Sequence, residues 1–106
     1  MAIRFDKLSL LTDFYEFTMA YTYFKEGKHN DIAYFDMFVR NIPDGGGFII
    51  FNGLNRLIDV IQNFKFTPSD INFLRKNYHF DEAFLDYLLN LDLNIDVWSV
   101  EEGTPV

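Results

Sequence analysis

The chain has 106 residues, a length typical of one domain, and 49% of them are hydrophobic and 19% aromatic, with 13 Phe among them. Its formal charge of −7 and pI near 4.5 argue against a nucleic-acid binder and against docking onto an anionic membrane, because both need clustered Lys and Arg. The absence of cysteine excludes disulfides, thiolate nucleophiles and cysteine-based zinc sites.

The beginning of the chain and its hydropathy predict a cytoplasmic location. Residues 1–9 contain no apolar segment of the kind found in signal peptides. No apolar run approaches the roughly 20 residues that a membrane-spanning helix requires. We therefore expect a cytoplasmic protein without a membrane partner.

The first predicted element is a helix over about residues 13–26, preceded by an extended lead-in over residues 1–12. Thr12 is a suitable N-cap, and Asp13 is favourable near the positive end of the helix. Gly27 suits the C-terminal end, because glycine readily adopts the left-handed conformation with which many helices terminate.

The two sides of this predicted helix differ. One side carries four aromatic residues at helical spacing, which predict a stripe facing a core: Phe14, Phe17, Tyr21 and Phe24. Tyr15 lies away from this stripe, on the side shared with Met19 and Thr22. An exposed tyrosine there could stack on a planar heteroaromatic ligand, whereas a purely structural one would pack against a neighbouring element.

Residues 32–40 alternate in a way that predicts a β-strand. One face is apolar and comprises Ala33, Phe35, Met37 and Val39. The other face mixes aromatic and charged residues, namely Tyr34, Asp36, Phe38 and Arg40. A mixed face of this kind can line a site or an interface. A loop over residues 41–47 comes next, and residues 48–51 are predicted to be a short apolar strand or the approach to a helix.

Three further helices are predicted in the second half of the chain. The first spans about residues 53–63, where apolar residues recur at helical spacing. Thr67 as N-cap and Pro68 at the first helical position give a strong start signal for the second, which ends near Asn77. Asp81 can cap the third.

The chain ends with a predicted strand over residues 95–100 and a turn that enters another strand over residues 101–106. The order of elements is therefore helix, strand, strand or turn, three helices and strand. This order predicts an α+β fold, because a parallel sheet would require strands and helices to alternate regularly.

The residues that most often perform chemistry give no catalytic or metal-site prediction. His29 and His79 lie beside predicted loops and lack the ligand spacing of a metal site. The three glycines over residues 45–47 could approach an anion through their backbone amides. The Lys-Ser/Thr pair of a P-loop is missing, however, so a flexible turn is the favoured interpretation.

Several blocks of the chain, taken in order, resemble nicotinate phosphoribosyltransferases. Residues 10–19, LLTDFYEFTM, are similar to the opening motif of that family, and residues 35–48, FDMFVRNIPDGGGF, to its next block. The blocks that continue in the family's order are Asn52-Gly53-Leu54, the helix after Thr67, residues 84–88 (FLDYL) and residues 100–106 (VEEGTPV). The resemblance spans nearly the whole chain.

The resemblance implies the rest of the expected architecture. Residues 1–106 would form an N-terminal α+β domain, with helices packed on a small mixed sheet. The large catalytic α/β barrel of the family is absent from this stretch. The chain is therefore expected to be inactive alone and to require its own barrel domain as a partner.

The resemblance also implies an activity. The family condenses nicotinate with phosphoribosyl pyrophosphate to give nicotinate mononucleotide and pyrophosphate, the first step of NAD salvage from nicotinate. ATP hydrolysis through a phosphorylated histidine of the barrel assists the reaction, and magnesium accompanies the pyrophosphate chemistry. Members typically form homodimers whose active sites include residues of the neighbouring subunit.

Carried over by motif, three residues become candidates for substrate binding. Tyr15 is expected to stack on the pyridine ring, and Asp13 to orient that ring or the network around it, both across the dimer interface. Arg40 is expected to contact a phosphate of the second substrate. The alternative is a stand-alone α+β module that binds another protein through its aromatic surface. A related enzyme acting on nicotinamide or quinolinate is a further possibility at the level of substrate.

Overall fold

The fold consists of helices that pack through aromatic side chains. A computed structural model describes the backbone of residues 5–106 and the side chains from residue 8 onward. The α-helices are α1 (Phe14–Lys25), α2 (Leu54–Asn63), α3 (Pro68–Asn77) and α4 (Glu82–Leu89). Two 3₁₀ helices, Phe5–Leu10 and Pro43–Gly45, lie before α1 and before α2. Residues 1–4 of the predicted lead-in lie outside the described residues, and residues 5–10 are helical rather than extended.

Helix α1 has the bounds that the sequence predicts to within one residue. Its N-cap is Asp13 and not Thr12, and the Asp13 side chain makes no capping hydrogen bond. At the other end Gly27 has a φ of 71°, and its amide donates to the carbonyl of Phe24 at 3.1 Å. The amide of Lys28 donates to the carbonyl of Tyr23 at 2.8 Å. This is the Schellman arrangement, which requires a residue in the left-handed region after the helix.

Helix α3 begins as predicted. Thr67 is the N-cap and Pro68 occupies the first helical position. The Asp70 amide donates to Thr67 Oγ1 at 3.2 Å, and the Thr67 amide donates to Asp70 Oδ2 at 2.9 Å. These reciprocal bonds form a capping box, which satisfies two amides that the helix itself cannot pair.

The core lies where α1, α3 and α4 meet. Its buried side chains are Phe17, Phe66, Ile71, Leu74, Phe84, Leu85 and Leu88. Phe84 is fully buried, and its ring centroid lies 5.1 Å from that of Tyr21, 5.3 Å from that of Phe80 and 5.6 Å from that of Phe24. The aromatic stripe predicted on α1 is thus confirmed for Phe17, Tyr21 and Phe24, whereas Phe14 is 44% exposed and lies outside the core cluster.

Helix α2 lies outside this core. Its apolar residues Leu54, Leu57, Ile58 and Ile61 are only half-buried. Glu102 Oε1 accepts hydrogen bonds from the amides of Gly53 and Leu54, at 3.0 Å and 2.6 Å. The end of the chain therefore occupies the positive end of α2 with a carboxylate, which is a favourable place for a negative charge.

The predicted α+β fold with a small mixed sheet is wrong for the part of the chain that the structure describes. Neither residues 32–40 nor residues 95–100 form a strand. Pairing within residues 5–106 is limited to one antiparallel bridge between Ile50 and Pro105. Alternation of apolar residues tells which side chains share a face, but a strand also needs a second strand to receive its backbone hydrogen bonds. Among the residues that the structure describes, these two segments meet no such partner.

The unpaired segments leave much apolar surface open. Within residues 32–40 the ring of Phe35 is 92% exposed, and in the later segment Trp98 is 96% exposed. The radius of gyration is 16.6 Å, against about 13 Å for a compact domain of 100 residues. None of the helices within residues 5–106 has the length and hydrophobicity needed to cross a bilayer.

Candidate functional site

Tyr15 is the second residue of α1, and its side chain points out of the molecule. It is 58% exposed. The core-facing side of the same turn is held by Phe17, which is buried. Tyr15 therefore does not belong to the aromatic core, as its place outside the stripe predicts. A ring with an open face at the first turn of a helix is available for stacking on a flat partner.

Tyr15 heads a continuous surface along α1, which we call the open face: Tyr15, Thr18, Met19, Thr22 and Tyr23. All five residues are exposed, and the last four line a shallow depression. The sequence-based grouping placed Met19 and Thr22 with Tyr15 but missed Thr18 and Tyr23. Helical spacing would have found them, because residues three, four, seven and eight positions after Tyr15 share its side.

The open face is less polar than its sequence indicates. Thr18 Oγ1 donates to the carbonyl of Tyr15 at 2.8 Å, and Thr22 Oγ1 donates to the carbonyl of Thr18 at 3.0 Å. Hydroxyls bound to the helix in this way cannot donate to a ligand at the same time. None of the five residues carries a formal charge. Such a surface suits a flat ring or another apolar helix better than a phosphate.

Asp13 lies at the entrance to the open face. It is exposed, and its backbone is extended, with φ −73° and ψ 142°. Its carbonyl accepts a hydrogen bond from the Glu16 amide at 3.1 Å. Asp13 and Tyr15 are therefore held in one helical turn.

Arg40 lies elsewhere. It is exposed, in an extended segment without regular secondary structure, and no hydrogen bond or ion pair within the described residues joins it to Asp13 or Tyr15. Its predicted place on a mixed strand face is wrong, because the strand does not form. Its position along the chain still places a cation just before the turn at Pro43–Gly45. Asp44 and Gly45 both have positive φ there, 59° and 65°, which a plain turn explains.

Of the two histidines, His29 is half-buried and His79 is exposed. The His29 ring lies 5.0 Å from both Phe24 and Tyr87, so it packs against the aromatic core. Among the described residues no group of three His, Cys, Asp or Glu side chains could hold a metal ion. The anchoring of Gly53 and Leu54 to Glu102 also fills the start of α2, where an anion could otherwise bind.

Among the described residues, the ionisable groups with a shifted pKa lie in two exposed ion pairs. A hydrogen bond from Lys25 lowers the pKa of Asp81, and the pKa of Lys25 is raised by the same bond. A hydrogen bond from Arg75 lowers the pKa of Glu82, and that bond raises the pKa of Arg75. Because each pair joins the start of α4 to a neighbouring helix, these shifts reflect packing and not catalysis.

Comparison with known proteins gives a consistent result. The family model described as the nicotinate phosphoribosyltransferase (NAPRTase) N-terminal domain matches residues 10–106. Nicotinate phosphoribosyltransferase 2 of Arabidopsis thaliana is 42% identical over 92% of this chain and 18% of its own length. The nicotinate phosphoribosyltransferases of Bacillus subtilis (strain 168) and Homo sapiens are 40% and 35% identical, over 92% and 90% of this chain. These matches cover 20% and 18% of those two relatives, so the chain spans about a fifth of their length.

Proposed function

The chain belongs to the family of nicotinate phosphoribosyltransferase N-terminal domains, and we propose that it forms the N-terminal part of an enzyme that joins nicotinate to phosphoribosyl pyrophosphate. The products are nicotinate mononucleotide and pyrophosphate, and the reaction serves NAD biosynthesis. The observation that carries this proposal is the match over residues 10–106, which contains all three candidate residues. Nothing in the fold or the comparisons favours a stand-alone interaction module.

In this proposal Tyr15 supplies a stacking surface for the pyridine ring. Its exposure of 58% supports that role, because a buried ring could not meet a ligand. The uncharged open face supports it further, since it binds the flat part of nicotinate without a competing charge. Stacking holds the ring so that its nitrogen faces the ribose carbon, which lowers the entropic part of the barrier. Asp13, just before the helix, orients the ring or the groups around it.

Arg40 serves the second substrate in this proposal. A guanidinium can bind phosphate oxygens through two parallel hydrogen bonds and offset their charge during transfer. The exposure of Arg40 supports this role, because its charge remains available to a partner. Arg40 is not one of the residues of the open face, which fits a division of labour in which different residues recognise the two substrates.

The remaining parts of the proposal concern the whole enzyme. The exposed apolar segments around Phe35 and Trp98 are covered by the barrel domain or by a second subunit. We infer a cytoplasmic homodimer in which Asp13 and Tyr15 face the partner's barrel. ATP and magnesium take part in the reaction, but the described residues form no metal cluster, and we assign no binding residue for either to this chain.

The test is a pair of substitutions in the complete enzyme. Tyr15→Ala should raise the Michaelis constant for nicotinate roughly two- to tenfold, because a stacking contact is worth about 0.5–1.5 kcal/mol beyond burial. Arg40→Ala should raise the Michaelis constant for phosphoribosyl pyrophosphate and leave that for nicotinate nearly unchanged. Steady-state kinetics with each substrate varied in turn measures both.

Conservative variants control for general damage. Tyr15→Phe keeps the ring and should retain most of the affinity for nicotinate, and Arg40→Lys keeps the charge but loses bidentate geometry. Unchanged nicotinate kinetics in Tyr15→Ala would remove the stacking role. An Arg40→Ala effect confined to nicotinate would contradict the assignment of Arg40 to phosphate.

A further inference from the structure

The stretch of chain that leads into Tyr15 is held at its beginning by a buried hydrogen bond. Ser9 Oγ donates to Asp70 Oδ2 at 2.6 Å, and the two residues are 5% and 6% exposed. The same Asp70 oxygen accepts the Thr67 amide in the capping box. Asp70 is thus fixed by the start of α3, and Ser9 is fixed by Asp70. A buried carboxylate with this set of partners is costly to displace.

The same stretch is held at its end by a ring stack. Phe14 lies against Tyr78 with ring centroids 4.2 Å apart and planes 24° from parallel. Tyr78 is the C-cap of α3, and its amide donates to the carbonyl of Leu74 at 3.0 Å. Leu74 is 1% exposed and belongs to the core. Phe14 therefore rests on a side chain whose own backbone is tied to the core.

The two anchoring residues lie at opposite ends of α3. Asp70 and Tyr78 are eight residues apart, which corresponds to about 12 Å along the helix axis. Two attachment points that far apart fix both the position and the direction of the chain that crosses between them. Tyr15 follows Phe14 directly, and its own ring is open to solvent. Its position is therefore set by its neighbours' contacts and not by its own.

We propose that α3 positions the stacking ring of Tyr15, with Tyr78 and Asp70 as positioning residues that never touch the substrate. The inference rests on the proposed function, since it assigns Tyr15 to the pyridine ring. Its consequence is that a change on α3 acts on nicotinate binding through Phe14 and Tyr15. Misplacing a positioned group by about 1 Å is enough to weaken the productive geometry.

The test compares two tyrosines in the complete enzyme. Tyr78→Ala should raise the Michaelis constant for nicotinate roughly two- to tenfold, the range of a lost stacking contact, with little change in kcat or in phosphoribosyl pyrophosphate use. Tyr87→Ala is the matched control. Tyr87 is also half-buried and packed in the aromatic cluster, but on α4, where its ring is tilted against Phe24 and edge-on to His29. It should lower thermal stability and leave the Michaelis constant for nicotinate unchanged.

Three further variants separate positioning from simple loss of structure. Tyr78→Phe keeps the ring and should restore the wild-type Michaelis constant. The double variant Tyr15→Ala with Tyr78→Ala should match Tyr15→Ala alone, because the second change acts only through the ring that the first removes. Ser9→Ala removes the hydrogen bond to Asp70 and should also raise the Michaelis constant for nicotinate. This variant tests the inference even if Tyr78→Ala does not fold.

The outcomes distinguish this inference from the proposed function. If Tyr15→Ala raises the nicotinate constant while Tyr78→Ala and Ser9→Ala do not, positioning by α3 is wrong and the role of Tyr15 stands. If none of the three changes it, the role of Tyr15 is wrong and the inference falls with it. Equal effects of Tyr78→Ala and Tyr87→Ala would show general destabilisation and overturn the positioning role.

Discussion

Two aromatic-rich stretches of this chain have opposite environments. In residues 78–89 the aromatic side chains pack against one another and against α1, with Phe84 fully buried. In residues 32–42 the aromatic side chains lie in solvent, with Phe35 92% exposed and Tyr34 94% exposed. The two stretches do not differ in hydrophobic character enough to explain this. They differ in where their backbone groups find hydrogen-bond partners.

The difference lies in the backbone. A helix forms its hydrogen bonds within itself, so α4 needs only an apolar surface on which to pack, and α1 and α3 provide one. An extended segment must find a second segment for its backbone groups before its side chains can be buried. The packed helices α1, α3 and α4 are therefore self-sufficient. The extended segments 32–40 and 95–100 find no such second segment within residues 5–106, which agrees with the proposal that they contact the barrel.

The largest test of this comparison is one substitution made in both regions. Phe84→Ala should lower the free energy of unfolding of the 106-residue chain by about 3–5 kcal/mol, because it empties a buried site. Phe35→Ala should change it by no more than about 0.5 kcal/mol, as for other exposed positions. Urea unfolding detected by far-ultraviolet circular dichroism measures both.

Equal losses in the two variants would contradict the comparison. They would mean that residues 32–40 pack on the helices in solution. Loss of helical signal in Phe84→Ala even without urea would agree with the expected size of the effect, since single domains are stable by only about 5–15 kcal/mol.

The same contrast separates the parts of the structure that the sequence predicts from the parts that it does not. Thr67 with Pro68 set the start of α3, and Gly27 with its left-handed backbone sets the end of α1, because helix signals act within a few residues. The predicted strand over residues 32–40 was wrong, because its alternating pattern contains no information about a pairing partner. The same limit applies to residues 95–100.

The candidate site also has features that the sequence predicts and features that it does not. The exposure of Tyr15 agrees with its place outside the stripe of Phe14 and Phe17, which helical spacing alone reveals. The packing of Phe14 on Tyr78 could not be predicted, because it joins residues 64 positions apart in a geometry that no local pattern encodes. The roles of Tyr15, Asp13 and Arg40 rest on the family resemblance and stay predictions.

A second test compares two threonines. Thr67→Ala removes the oxygen that accepts the Asp70 amide and should cost about 1 kcal/mol of stability, the usual value for an N-cap. Thr104→Ala is the same change at the end of the chain, where the hydroxyl donates to the carbonyl of Glu101 at 2.6 Å. It lies outside the helical core and should cost clearly less. Chemical unfolding at one temperature compares the two free energies of unfolding. A larger loss of stability in Thr104→Ala than in Thr67→Ala would contradict the view that α3 belongs to the most stable region.

The smallest expected effect concerns acid. Arg75 Nε and Nη2 donate to the two carboxylate oxygens of Glu82 at 2.7 Å and 2.9 Å, which joins α3 to α4. The hydrogen bond from Arg75 lowers the pKa of Glu82 in the folded chain. A carboxylate with a lowered folded pKa stabilises the fold above its unfolded pKa, about 4.3, and loses that contribution as the pH falls through the folded value.

The thermal unfolding midpoint should therefore decrease as the pH is lowered below about 4. Glu82→Gln should make this decrease shallower, because the amide cannot be protonated in that range. Both groups are exposed, so the change is small and shrinks further in high salt. Asp36→Asn, the matched carboxylate-to-amide change in the extended region, should leave the pH profile as it is. Thermal midpoints measured between about pH 3 and pH 7 give the pH dependence of the unmodified chain and of the two variants. A flatter profile for Asp36→Asn than for Glu82→Gln would mean that the extended region, and not the contact between α3 and α4, responds to acid.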